Sequence, residues 1–252
     1  MQHIVVSFHS PDRPIDGRQV TARGLHGLLF HVLQQFDREA ANELHTHPAP
    51  KPFSMVPYYT ENGHLAGLRY AAVTEAAAAL LAESWLNIYH KQQLLKLGRY
   101  QTFYVRHVEC LPGYDFISLA NLEPISEMLL NFLSPTAFKQ GKGSLPLPLP
   151  GNVFRGPWYV WNTFAQDILS IPESWLQWCE QDVFITEHQI ETAVIALNRD
   201  NQFTGFVGRV KYEAYRGSEE QLRIWQALGT LAAFCGVGHK TTMGMGAVEK
   251  AL

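Results

Sequence analysis

Two short stretches of this chain carry side chains suited to chemistry rather than to packing. The first, HTHPAPKP, begins at His45 and places His45, His47 and Lys51 within seven residues, on a segment whose prolines no helix could absorb. Such a segment presents its side chains outward. An imidazole titrates near neutrality and can give or take a proton, and an ammonium beside it steadies an anion. The second stretch, FCGVGHKTTMGMGAV, runs from Phe234 to Val248. Its glycine pairs, Gly236 with Gly238 and Gly244 with Gly246, bracket His239, Lys240, Thr241 and Thr242. Glycines allow positive φ and close backbone approach, so exposed amides could form a concavity for an anion, with Lys240 adding charge. A phosphate is the natural occupant.

Two familiar phosphate loops do not fit this stretch. A P-loop needs G-x-x-x-x-G-K-[ST] between a strand and a helix, whereas here the lysine precedes the second glycine pair. The dinucleotide fingerprint fails because five residues separate the pairs. The plainer alternative is a helix C-cap at Gly236 followed by a glycine-kinked strand. Metal binding has little support, since His45 and His47 have no further ligand at a useful spacing and His26 and His31 share no helix face. No metal and no cofactor are expected.

The elements that must position these residues follow from periodicity. HIVVSFH reads as a strand from His3, and Leu25, Leu28, Leu29, Val32, Leu33 and Phe36 recur at helical spacing. Asp37 caps a second helical piece through Leu44, which leaves His45 on the loop that follows. Phe53 to Val73 is a hairpin turning at Asn62-Gly63, Thr74 caps an alanine-rich helix, and KLGRYQTFYVRHVEC alternates like a strand. The order β, α in two pieces, β, β, α, β is the ferredoxin-like arrangement.

In the second half, DFISLANL reads as a strand, SEMLLNFL as a short helix, and SPTAFKQGKGSLPLPLPG as a loop outside the core. Helical stretches at Trp158–Phe164 and Glu173–Glu180 precede a long hairpin from Val183 to Tyr215 that turns near Asn198–Asn201. Ser218 with Gln221 is a capping box opening a helix whose Leu222, Trp225, Leu228 and Leu231 face a core, and AVEKAL ends the chain as a strand. The expected fold class is α+β, with two tandem ferredoxin-like (RRM-like) domains, each an antiparallel sheet backed by helices. Residues 1–111 form the first domain and 112–252 the second.

The 252 residues are 46% hydrophobic and 17% charged, which excludes a disordered polymer. No apolar run reaches membrane-spanning length, and MQHIVVSFHSPDRP lacks the form of a secretory leader, so a cytoplasmic protein with three reduced cysteines is expected. The net charge of −3 speaks against a general nucleic-acid binder, but residues 111–198 hold 3 basic and 9 acidic residues and so carry the acidity. Both ends remain free to present local positive surface.

The pattern G-h-G-x5-G-h-G, with h apolar and a basic insert, resembles the C-terminal signature of the RAMP superfamily. Together with LHTHPAPKPFSMVPYY and SPTAFKQGKGS, it makes the chain similar over nearly its whole length to the CRISPR-associated repeat endoribonucleases, the "Cas six" family. That resemblance implies a metal-independent enzyme that cuts precursor transcripts into guide RNAs by 2′-hydroxyl attack, leaving a 2′,3′-cyclic phosphate and a 5′-hydroxyl. His45 matches the general acid/base, Lys51 the lysine that steadies the transition-state phosphate, and His47 stands in if the alignment slips by two. Where some members have a catalytic tyrosine, this chain has Phe30, so that role is absent or passes to His31, His26 or a nearby tyrosine. The expected partner is CRISPR repeat RNA, with other effector subunits and a homodimer as further candidates and no membrane.

With RNA as ligand, the candidate contacts are Gly236, Gly238, His239, Lys240, Thr241, Thr242, Gly244 and Gly246 in the glycine loop. Lys139 and Lys142 in the mid-chain loop, and Arg209 and Lys211 on one side of the second hairpin, complete the set. Two rival readings stand beside the nuclease: a non-catalytic repeat-RNA-binding subunit, and a small enzyme holding a phosphorylated metabolite on the glycine loop.

Overall fold

The computed structural model describes residues 1–99 and 101–251, and the chain divides into two compact units. The first comprises Met1–Gly113 with Ile195–Phe203 and Thr242–Gly244; the second comprises Tyr114–Val194, Thr204–Thr241 and Met245–Leu252.

In the first unit, β1 (Gln2–His9) leads to α1 (Ala22–Phe36) and α2 (Arg38–Thr46). The hairpin β2 (Phe53–Tyr59) and β3 (Leu65–Ala72) follows, then α3 (Glu75–His90), the short β4 (Leu95–Leu97) and β5 (Gln101–Pro112). The sheet order is β2-β3-β1-β5-β4, and the registered pairs are antiparallel. Apart from edge strand β4, which the sequence reading merged into the following strand, this is the ferredoxin-like order. The helix starts follow local chemistry. Thr21, Asp37 and Thr74 each accept a backbone N–H from the first turn of α1, α2 and α3. Leu25, Leu29, Val32 and Leu33 of α1 pack with Leu81 and Trp85 of α3 over Ile4, Val6, Leu68 and Phe103, while Phe36 is exposed.

The second unit contains α4 (Phe116–Ala120), β6 (Glu127–Thr136), β7 (Phe138–Gln140) and β8 (Gly143–Leu145). These are followed by α5 (Pro150–Phe164), α6 (Glu173–Asp182), β9 (Val183–Ala196), β10 (Gln202–Ala214), α7 (Glu219–Cys235) and β11 (Val248–Ala251). Its four-stranded sheet has the order β11-β6-β10-β9. Reading β6, β9, β10 and β11 as a unit's four strands gives the ferredoxin-like order a second time. The Ser218–Gln221 capping box opens α7.

Four expectations are corrected here. DFISLANL is a helix, because Asp115 accepts the Ser118 N–H at 2.6 Å as an N-cap. SEMLLNFL is the start of central strand β6. Met128, Leu130 and Phe132 are buried alternately, the period of a strand packed on one face. The SPTAF segment enters the core: Thr136 and Ala137 are inaccessible to solvent and Phe138 is buried. Helix α5 also begins at Pro150, earlier than Trp158, with the proline at a position that needs no N–H.

Candidate active site

The His45 centre is built where α1 and α2 meet. Helix α2 continues one residue past His45, so His45 sits in the last helical turn and not on the proline segment. Pro48 restrains only the residue before it, and the helix accordingly stops at Thr46. The exposed carbonyls at that helix end are satisfied from outside. Lys51 Nζ donates to the Leu44 carbonyl at 3.2 Å and to the His45 carbonyl at 2.7 Å. A cation there also opposes the negative end of the helix dipole. Two of the ammonium's three donors are thus engaged, and one remains.

Across from α2, His26 and Phe30 stand four residues apart on one face of α1, with ring centroids 4.8 Å apart. The His45 ring meets Phe30 edge-on at 4.7 Å and His26 at 6.0 Å. Phe30 therefore takes the place of a wall that orients both imidazoles. Burial depresses the His26 pKa, and the charges of His45 and Lys51 depress it further. Burial also lowers the Lys51 pKa. The arrangement offers a histidine held neutral near pH 7, a second, exposed histidine and an ammonium in one cluster. Such a set can take a proton, give a proton and balance charge on a phosphate.

The remaining candidates of this region also make local contacts. His47 Nδ1 is 2.6 Å from the Pro48 carbonyl, and its own N–H closes α2 on Glu43. His31 projects from α1 to the Gln35 side chain at 2.8 Å. Of the two histidines named as stand-ins at Phe30, His26 is the one whose ring is seen to meet His45.

The glycine loop is folded on itself. Gly236 caps α7 with φ 72°. The Val237 N–H donates to Gly246, the Gly246 N–H to Pro135, and the His239 N–H to Ala137. A Cβ at Gly246 would lie 2.0 Å from the Val237 carbonyl oxygen, and one at Gly238 would lie 2.4 Å from that of Ala137. These glycines serve backbone-to-backbone packing, so part of the amide row expected to face an anion is consumed internally. The plainer alternative describes the backbone: the loop is a C-cap and kink that lifts Lys240 into solvent at φ 67°. Thr241 and Thr242, in a short 3-10 turn with Met243, are half-buried, and Gly244 is buried.

Beside that loop stands the hairpin of β7 and β8. Ser144 Oγ lies 3.2 Å from His239 Nε2. Burial lowers the His239 pKa, as do the charges of Lys139 and Lys240. Lys139, His239 and Lys240 thus form one basic patch, with Lys142 at the exposed hairpin turn. Arg209 and Lys211 do share a face of β10, but each meets a carboxylate: Lys211 meets Glu127 at 2.6 Å and Arg209 meets Glu187 at 3.8 Å. The hydrogen bond to Glu127 raises the Lys211 pKa. Each thus has a carboxylate partner at the surface. Among the described residues, no group of three or more His, Cys, Asp or Glu is placed to hold a metal ion, and no helix is long and apolar enough to cross a membrane.

Residues 130–248, which hold β6 and the whole glycine loop, match the model of the CRISPR-associated endoribonuclease Cas6 family. Over that segment the chain is similar to the Cas6 family. A Cas6 product complex is 25% identical over all of both chains, with a TM-score of 0.81. Cas6 of Thermus thermophilus is 21% identical, covering 99% of this chain and 98% of its own, with a TM-score of 0.72. A RAMP protein described as binding different RNA substrates shares 14% identity over all of both chains at a TM-score of 0.64. No curated protein matches the sequence. The fold of this chain is thus that of these structures, and the glycine loop falls within the segment that the family model covers.

Proposed function

We propose that this protein is a repeat-specific endoribonuclease that cuts CRISPR precursor transcripts without a metal ion. The 2′-hydroxyl of the nucleotide before the cut attacks the adjacent phosphorus, and the bond to the 5′-oxygen of the next nucleotide breaks. The products are a 2′,3′-cyclic phosphate and a 5′-hydroxyl. The observation that carries this reading is the cluster of His26, His45 and Lys51 in a Cas6-type fold. His26, held neutral, suits removal of the 2′-hydroxyl proton, and His45 suits protonation of the leaving oxygen. The remaining Lys51 donor suits the non-bridging oxygens as negative charge gathers there.

In this reading the N-terminal domain, residues 1–111, does the cutting. The C-terminal domain, residues 112–252, grips phosphates through Lys139, His239 and Lys240. The test is incubation of purified protein with end-labelled repeat RNA in EDTA, beside a His45→Ala protein. A single cut by the first and none by the second supports the reading. Tight binding without a cut by either would favour a non-catalytic subunit, whose Lys51 serves only to cap α2.

A further inference from the structure

A cavity of about 630 Å³ lies in the N-terminal unit, and none of its lining belongs to the His45 centre. Its position follows from strand alternation. Ile4 and Val6 of β1 are buried, and Phe8 meets Trp85 of α3, so Ser7 and His9 turn to the other face of the sheet. Across four strands the register aligns Tyr58, Gly67, Ser7 and His107 in one row. Gly67 leaves a gap in that row, and the Tyr58 ring lies across it. A Cβ at Gly67 would come within 2.5 Å of the phenol oxygen. That oxygen is held 2.8 Å from Ser7 Oγ.

The same row carries a bulge. Ser7 pairs with His107 but Phe8 pairs with Val105, which leaves Arg106 as the extra residue. A bulge turns two neighbouring side chains to one side, and both Arg106 and His107 are exposed and line the cavity. His9 and His64 complete the polar wall, and among the described residues no carboxylate lines it. Asp16, which bridges His64 through the backbone, is bound to Arg18.

The volume is that of a small-ligand site, its lining includes the Tyr58 ring and the Arg106 guanidinium, and no described residue of the lining is a carboxylate to repel a phosphate. We infer that this cavity takes one unpaired nucleotide of the RNA, its base stacked on Tyr58 and its phosphate paired with Arg106. The inference rests on the RNA reading above and adds a second grip, separate from the cutting centre. Stacking on an aromatic side chain tolerates any base, and a planar guanidinium suits a phosphate.

The test is fluorescence anisotropy of labelled repeat RNA with the full chain, together with cleavage rates at saturating protein. Tyr58→Ala and Arg106→Ala should each weaken binding about tenfold. Tyr58→Phe keeps the ring and should bind within about twofold of the unaltered protein. Because these groups touch RNA away from the cut, cleavage of fully bound RNA should change less than about threefold in either alanine variant. A 4-thiouridine-substituted repeat should crosslink at Tyr58 or its row. Unaltered affinity in both alanine variants overturns the cavity site and leaves the nuclease reading intact. Failure of the unaltered protein to bind repeat RNA removes the RNA reading and this site with it. Arg106 is exposed, so its variant carries the test even where Tyr58→Ala melts early.

Discussion

Lys51 holds two jobs that a single substitution can separate. Lys51→Met keeps the length and apolar stem of the side chain and removes the ammonium. The structural loss is that of two bonds to carbonyls at the end of α2. At a partly exposed site this is about 1 kcal/mol after solvent screening. For a chain of this size, that shifts the melting midpoint by about 2–4 °C. A domain stable by about 5–15 kcal/mol remains almost wholly folded after such a loss. Unfolding therefore cannot account for any large fall in rate. The catalytic loss is of another order, since removing one preformed donor to a developing anion costs about 10²–10³ in rate. The assay is single-turnover cleavage of labelled repeat RNA, at protein concentrations that saturate binding, paired with thermal melting of the same sample. A fall of two to three orders of magnitude with a small melting shift (about 10²–10³ against a few degrees) fits the transition-state role. A rate within about threefold of the unaltered protein would refute it and leave Lys51 as a helix cap.

Other consequences follow from the same geometry. The depressed His26 pKa means that the unfolded chain binds protons more readily than the folded one. Stability should therefore fall as pH drops below the ordinary histidine range, near 6.5, and His26→Gln should flatten that slope in melts across pH. Lys51→Met removes one charge acting on His26, so the acid limb of the pH–rate profile should move to higher pH. Gly246→Ala puts a Cβ against the Val237 oxygen at φ 70° and should cost at least about 1–3 kcal/mol in denaturant unfolding. Gly63→Asn, at φ 75° with open space around it, should stay within about 1 kcal/mol. Lys139→Ala and Lys240→Ala should each weaken RNA binding and reduce its salt slope by about one. Arg209→Ala and Lys211→Ala, already ion-paired, should change the slope less.

The N-terminal fold was legible because its signals are local. Thr74, Asp37 and Gly63 mark their helix starts and turn by side-chain and backbone chemistry alone, and α1 shows its buried face in the spacing of its leucines. The swap of DFISLANL and SEMLLNFL has a physical cause. An apolar run such as Met128–Phe132 suits a helix or a central strand equally, and β6 becomes a strand because β10 and β11 pair with it on either side. The helical state of His45 could have been read from Pro48, which restrains His47 but not the two residues before it. The approach of His26 to His45 could not, because it depends on how α1 and α2 pack. Nor could the Tyr58 row, which needs the register of four strands. The anion-binding look of the glycine loop came from composition, whereas its hydrogen bonds show glycines spent on backbone contact.

The most direct test is the end chemistry of one RNA. Repeat RNA carrying a single 2′-deoxy sugar at the cut site, and its all-ribose counterpart, are incubated with the protein in EDTA, and the products are resolved by mass spectrometry. The account predicts one cut in the ribose strand with a 2′,3′-cyclic phosphate on the upstream piece, and an intact, tightly bound deoxy strand. Cleavage of the deoxy strand at the same bond, or a 5′-phosphate on the downstream product, would contradict it.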